Sequence, residues 1–438
     1  MPEQDRPFDV RNWPGYYGWI ILVVGTVGMT AAVPGSPPGM SIFIDDMLEA
    51  LEIERSGFSL AYTGGTIIAG LGAPFAGNLI DRFGVRLIGC LSFFSLGLVL
   101  IFTGLTEQVY RLAGASDRIP GLSFMLVLVA FGGIRLTGVG FAMTVCRSMV
   151  FRWFEGRRGW AAAINGVFLS LSFSSAPVLL NGVVVAFGWE ATWIGLGFLF
   201  ALGMTGMAYV FFRDSPEACG VPVESGGQEE GEKVRVPVVK DFTGGEAVRT
   251  IAFQVFAAGL ALNALIGTGI AFHIVALAAE RGVTRETAVA TFLPIAIFHI
   301  TTTLSMGAVV EKIKLKYALA LMVGAQMLAL YGVANFGETP WRWLYIVASG
   351  VAWGTFGVLI NIPWPRFFGR RYLGSINGWV TGVILVTSGI GPYLFGLAKG
   401  LTGSFLPGVL FCLCLCPVLL FLSSMADNPQ LRLGARNK

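Results

Sequence analysis

The sequence predicts an all-α membrane protein: twelve transmembrane helices arranged as two pseudo-symmetric six-helix bundles. Three observations predict it. Of 438 residues, 55% are hydrophobic and only 13% are charged, and the mean hydropathy is +0.72, whereas water-soluble domains carry about 25% charged residues. Apolar stretches of roughly 20 residues, the length needed to cross a bilayer with every backbone group satisfied internally, recur about twelve times. Finally, motifs in the first half of the chain are written again in the second.

The expected spans run in order. Residues 1–16 are polar and of mixed charge, with no cleavage pattern, so the amino terminus is expected to be retained. Span 17–45 contains AVPGSPPGMS at 32–41, where proline removes donors and glycine permits unusual dihedrals, so the helix must kink or unwind there. Span 56–79 leads into the charged stretch GNLIDRFGVR, then 87–106 follows. Span 122–150 carries Arg135 and Arg147 and ends in RWFEGRR; 159–187 and 190–212 complete the first six. The stretch 213–249, rich in Gly, Pro and Glu, reads as a flexible cytoplasmic linker. Spans 250–279, 287–310, 317–336, 341–365, 374–398 and 405–424 then form the second six. Within them Gly391-Pro392-Tyr393 predicts another break. The domains are thus 1–212, the linker 213–249, and 250–438.

Charge sets the orientation. With both termini inside, 21 of the 30 Lys and Arg fall on the inner side, seven fall outside, and Arg135 and Arg147 lie within a span. The net charge of +4 is therefore loop asymmetry and gives no sign of a nucleic-acid site.

The repeats carry the architecture. RWFEGRR at 152–158 is echoed by RFFGRR at 366–371, and Asn165-Gly166 by Asn377-Gly378. GNLIDRFGVR at 77–86 is echoed by GAVVEKIKLK at 307–316, each giving Gly, an acid four residues on, a base next to it, and a base at the loop's end. Two parallel six-helix repeats form a transporter architecture with its substrate site near midplane.

On these residues the chain resembles the major facilitator superfamily over its whole length. The Gly77…Asp81-Arg82…Gly84…Arg86 stretch is similar to that superfamily's signature between helices two and three, with Val85 where a base is more usual. Tyr17-Gly18-Trp19, Arg135-Leu136-Thr137-Gly138-Val139-Gly140, Trp153-Phe154…Arg157-Arg158-Gly159 and Trp364-Pro365-Arg366-Phe367-Phe368-Gly369-Arg370-Arg371 resemble the monocarboxylate-carrier and oxalate/formate-antiporter branch. The resemblance implies a gating role for Gly77, Asp81, Arg82, Gly84 and Arg86, for their echoes Glu311 and Lys312, and for the arginine pairs Arg157/Arg158 and Arg370/Arg371. Physically, Asp81 is placed to accept hydrogen bonds from a neighbouring helix N-terminus, and Arg82 and Arg86 to bridge acids or helix ends. The alternative is that these charges serve topology alone.

Ionisable side chains inside a membrane are costly and are therefore candidates for function. No acid falls mid-span; Arg135 lies near the middle of the fourth span and His299 near the middle of the eighth. A fixed guanidinium favours a carboxylate, which it can bind bidentately. Arg135 is either a substrate contact or a structural tie between helices, and His299 either a proton-sensitive contact or a packing residue. Arg147 is expected to snorkel to the cytoplasmic side, and His273 to pack between helices. Ser36 and Ser41 in the broken first helix, Tyr62, Asn263 and Tyr393 complete the candidate lining. Animal monocarboxylate carriers have an Asp–Arg pair in helix 8 and a Lys in helix 1; the segment TFLPIAIFHITTTLSMG has neither, and the first span has no Lys.

Cys412 and Cys416 share a helical face that Cys414 does not, with no His or acid nearby to complete a metal site. Nothing resembles a nucleotide loop or a catalytic triad, so the expectation is a non-enzyme with no cofactor and no metal. The favoured expectation is a secondary transporter of small carboxylates working by alternating access, with protons or a counter-substrate as partners, in a bacterial inner membrane with both termini cytoplasmic. A drug or amphipathic-solute exporter on the same fold and a transport-silent sensor or partner subunit stand as alternatives.

Overall fold

A computed structural model describes residues 7–40, 42–113, 121–222 and 238–431. Among these residues there is no strand, and twelve long helices follow one another: α1 (Gly18–Ala32), α2 (Arg55–Phe83), α3 (Val85–Gly104), α4 (Leu122–Trp153), α5 (Arg158–Phe187), α6 (Trp189–Phe211), α7 (Ile251–Ala279), α8 (Phe292–Val309), α9 (Leu315–Ala334), α10 (Thr339–Phe368), α11 (Leu373–Thr402) and α12 (Leu406–Ser423). Nine of the described helices are long and apolar enough to cross a membrane. α1 ends at Ala32 where the expected span ran to 45; the other boundaries lie close to the expected spans because the hydrophobic stretch length is set by the bilayer. On α12, Cys412 and Cys416 are buried and Cys414 is exposed, as helical spacing requires.

The chain forms two compact units. The first comprises Met1–Glu155, Phe168–Ser225 and the short segment Asn377–Gly382 of α11; the second comprises Gly156–Val167 of α5, Gly226–Ile376 and Val383–Lys438.

In the first unit, α1 ends in a tight 3-10 turn over Thr30–Ala32, and the chain re-forms single short helices at Pro37–Met40 and Ile44–Ala50. The break expected from AVPGSPPGMS is present. Gly84, at φ +84°, carries α2 straight into α3, a conformation that a side chain would strain. The first free donor of α3, Val85 N–H, is accepted by Asp214 Oδ1 at 2.5 Å, and Arg86 Nε donates to the Phe212 carbonyl at 3.0 Å. Pro74 lacks an N–H for the carbonyl of Gly70 one turn earlier, and at that carbonyl α11 comes close: a Cβ on Gly382 would lie 2.6 Å from Gly70 O.

The repeated aromatic–arginine motifs have a shared packing role within their own units. In the first, Trp153 and Phe154 are buried; Trp153 Nε1 donates to the Arg213 carbonyl at 3.2 Å, and Tyr17 donates from its hydroxyl to the Phe211 carbonyl at 2.9 Å. In the second, Phe253 packs against Trp364 with ring centroids 5.2 Å apart, and Phe256 packs edge-on against Phe367 at 5.5 Å. Aromatic pairs anchor the ends of α4 and α10 while the adjoining arginines are left for polar contacts.

The expected break in α11 does not occur: the helix is continuous over Leu373–Thr402 with Pro392 inside it. Proline frees the carbonyl of Ser388, and the Thr268 hydroxyl of α7 lies 3.1 Å from that oxygen, while His273 Nε2 lies 3.0 Å from the Pro392 carbonyl. The Thr268 hydroxyl's single proton also faces the Ala264 carbonyl of α7 at 2.5 Å, so the Ser388 carbonyl receives a shared contact from the neighbouring helix. Thr268→Val is expected to cost about 1 kcal/mol of stability while leaving transport intact. Thermal unfolding of the purified protein checks this, and an unchanged midpoint would show that the freed carbonyl does not depend on Thr268.

Candidate functional site

Arg135 begins a π-helical stretch of α4, Arg135–Met143, in which each turn is wider than in an α-helix. Such stretches recur at functional positions because they redirect side chains. The Arg135 side chain is buried, the residue being 6% exposed. Its Nε donates to Thr66 Oγ1 at 3.2 Å, and its guanidinium lies 5.4 Å from the centre of the Tyr62 ring. Tyr62 in turn donates from its hydroxyl to the Gly35 carbonyl at 3.1 Å, so the broken end of α1 positions the aromatic floor on which the cation rests. Among the described residues no carboxylate pairs with Arg135, and its Nη side has no hydrogen-bond acceptor. The result is a desolvated, forked cation with one open edge, suited to a planar anion.

Ser36 is buried, but its hydroxyl is turned into its own backbone, donating to the Val33 carbonyl at 2.6 Å. It shapes the break in α1. Ser41 lies outside the described residues.

In the second unit His299 is half-buried, with no hydrogen bond to its ring among the described residues. Glycines of α10 let its backbone approach: a Cβ on Gly354 would sit 2.6 Å from the His299 carbonyl oxygen. Asn263 is buried and bonded to a partner, its Oδ1 accepting from Gln326 Nε2 at 2.8 Å, which ties α7 to α9. Tyr393 is 64% exposed. His273 packs between helices as expected, its ring 4.9 Å from that of Phe405.

The loop charges fall into two patterns. Asp81 is ion-paired with Arg152 at 2.6 Å, both side chains being only 9% exposed. Its echo makes a helix-end contact: Glu311 Oε1 accepts from Gly159 N–H at 3.3 Å at the start of α5, where the helix dipole favours an anion. Gly159 and Gly307 approach so closely that a side chain on either would collide with the other's backbone. Gly77 is buried, 3.0 Å from where a Cβ on Gly378 would stand. Arg82 is exposed over the Phe83 ring, and Lys312 is exposed. Arg157 is exposed and Arg158 buried. The backbone N–H groups of Arg370 and Arg371 both point to Asp241 Oδ1, at 3.0 and 3.4 Å.

One expectation is overturned outright. Arg147 does not snorkel: it is 3% exposed, and its Nη1 donates to Thr381 Oγ1 at 3.4 Å. Thr66, Arg152 and Asp214 also escaped the sequence reading. For Arg152 and Asp214 no sequence signal pairs them with residues 71 and 129 positions away. Thr66 stands one helical turn after Tyr62, a spacing from which it was legible.

Comparisons with known proteins bear on the fold. The E. coli fucose:proton symporter has a similar structure, with a TM-score of 0.66 at 12% identity, covering 94% of this chain and 100% of that one. A human organic anion transporter, MFSD10, aligns with a TM-score of 0.61 at 15% identity over 94% of this chain and 100% of its own. A bacterial homologue of the iron transporter ferroportin gives 0.63 at 15% identity, over 92% and 99% respectively. Identities this low show a common fold and nothing about cargo. No curated protein matches the chain in sequence. Residues 14–392 match the sequence profile of the Major Facilitator Superfamily, whose members are transporters rather than enzymes, and the chain is a multi-pass membrane protein belonging to that superfamily.

Proposed function

We propose that the protein is a secondary active transporter that moves a small organic anion, monocarboxylate-like, by rocker-type alternating access. The observation that carries this reading is Arg135: a buried guanidinium with an aromatic floor, one hydroxyl contact and no acid partner among the described residues. A buried cation without a counter-charge is costly, and a substrate carboxylate supplies that charge when it binds. Acidic side chains at the site would instead have favoured a cationic drug. The cargo named for one structural neighbour, an organic anion, is in keeping with this class, and the proton named for another is in keeping with coupled transport. His299, half-buried and without a ring hydrogen bond among the described residues, is the group we assign to proton coupling. Asp81–Arg152 and Glu311–Gly159 are the contacts we assign to the gate. We place the protein in a bacterial inner membrane with both termini cytoplasmic, from the distribution of Lys and Arg.

The test is uptake of radiolabelled lactate, pyruvate, oxalate and formate into proteoliposomes, with and without a pH gradient. Saturable uptake of at least one is expected, and its pH dependence separates symport from exchange. Absence of flux for all four, in protein shown to be folded, would remove the carboxylate class and favour the exporter of amphipathic solutes.

A further inference from the structure

A second buried cation lies on α4, twelve residues beyond Arg135. Thr144, Arg147 and Ser148 stand three and four residues apart and so share one face of α4; Asn377 and Thr381, four apart, share one face of α11. The two faces meet inside the first compact unit. The Thr144 and Thr381 hydroxyls are 3.3 Å apart, Arg147 Nη1 donates to Thr381 Oγ1 at 3.4 Å, and Asn377 Nδ2 donates to Ser148 Oγ at 3.0 Å. All five residues are buried.

The donors and acceptors of this cluster do not balance. A guanidinium carries five N–H donors, yet Arg147 uses one, at long range, on a neutral hydroxyl, and no carboxylate pairs with it among the described residues. Asn377 Oδ1 is buried with no hydrogen-bond partner among the described residues. A cation desolvated against a hydroxyl keeps most of its burial cost, and an orphaned buried acceptor adds its own. The cluster therefore lacks a ligand that brings negative charge to Arg147 and a donor to Asn377.

We propose that Arg147 is a second anion station: a small carboxylate, most tightly one with an adjacent hydroxyl, displaces Thr381 from the guanidinium and donates its hydroxyl proton to Asn377 Oδ1. Two charge-assisted bonds to a carboxylate replace one long bond to a neutral oxygen. Anion binding and the Arg147–Thr381 contact are mutually exclusive, so an arriving substrate loosens the hold of α4 on segment Asn377–Gly382. The inference rests on the anion reading of Arg135, and it adds a second site and a competition that the reading does not require.

Equilibrium binding of radiolabelled lactate to the full-length purified protein tests it. Two sites per chain are expected; Arg135→Gln removes one and Arg147→Gln the other. Thr381→Val, which deletes the competing hydroxyl and leaves the cation in place, is expected to tighten the Arg147 site about fivefold. Propionate, which lacks the hydroxyl, is expected to bind that site about fivefold more weakly than lactate. A single site, lost in Arg135→Gln and indifferent to Thr381→Val, overturns the second station while the Arg135 reading stands. No lactate binding by folded wild type overturns both. Should Arg147→Gln fail to fold, the Thr381→Val shift still decides the question.

Discussion

Arg135→Gln is expected to abolish saturable carboxylate uptake, with a loss of at least about 100-fold in kcat/KM, and to leave the fold intact. Truncating one partner of a desolvated, hydrogen-bonded charge pair costs about 2–5 kcal/mol, and the substrate carboxylate is the partner that Arg135 otherwise lacks. The stability measurement is what makes the test decisive. A structural arginine that ties helices together would leave them unsatisfied on substitution and lower the unfolding midpoint. An arginine waiting for substrate carries an uncompensated burial cost in the empty protein, so glutamine is expected to match wild type or exceed it in stability. Arg135→Lys keeps the charge but loses the fork, and an intermediate loss of about tenfold is expected. Uptake together with thermal unfolding of the same preparations checks all three outcomes. Lost uptake with an equally lowered midpoint would assign Arg135 to structure.

Asp81→Asn is expected to reduce transport by at least about tenfold, because it removes the carboxylate from an ion pair whose side chains are both only 9% exposed. Breaking a buried ion pair by removing one partner costs about 3–5 kcal/mol, enough to shift a two-state equilibrium almost completely if only one state contains the pair. The double substitution Asp81→Asn/Arg152→Gln removes both charges of the pair and is expected to recover part of the stability, with a coupling of at least about 1 kcal/mol. Cysteine accessibility from either side of the membrane reads the conformational shift, and a thermal-unfolding cycle reads the coupling. Additive single-mutant effects with unchanged accessibility would reduce the pair to a topological role.

The contrast between Asp81 and Glu311 shows why the sequence was readable in outline but not in contact. The repeat made them equivalent, yet Asp81 lies in the last turn of α2 and Glu311 just beyond the end of α8. Asp81 pairs with Arg152, 71 positions away, and Glu311 accepts from Gly159 N–H, 152 positions away. Arg147 makes the same point in reverse. Its position near the end of a span suggested an escape to water, but the packing of α11 closes over it. Pro392 was read as a break from local rules, yet α11 is continuous through it, with Thr268, 120 residues away from Ser388 in sequence, packed beside the carbonyl that the proline frees.

What the sequence determined by itself is whatever the bilayer and the local backbone decide. The twelve helices follow from hydrophobic length, the interruption of α1 from Pro and Gly, and the repeated charged and aromatic motifs from direct comparison of the two halves. What only the tertiary structure decided is the partner of each buried charge: Thr66 for Arg135, Thr381 for Arg147, Asp81 for Arg152. The physical reason is that helix formation satisfies the backbone within each segment. The rotation and register of one helix against another are left to side-chain packing between residues that are 69, 234 and 71 positions apart, and no local pattern encodes them.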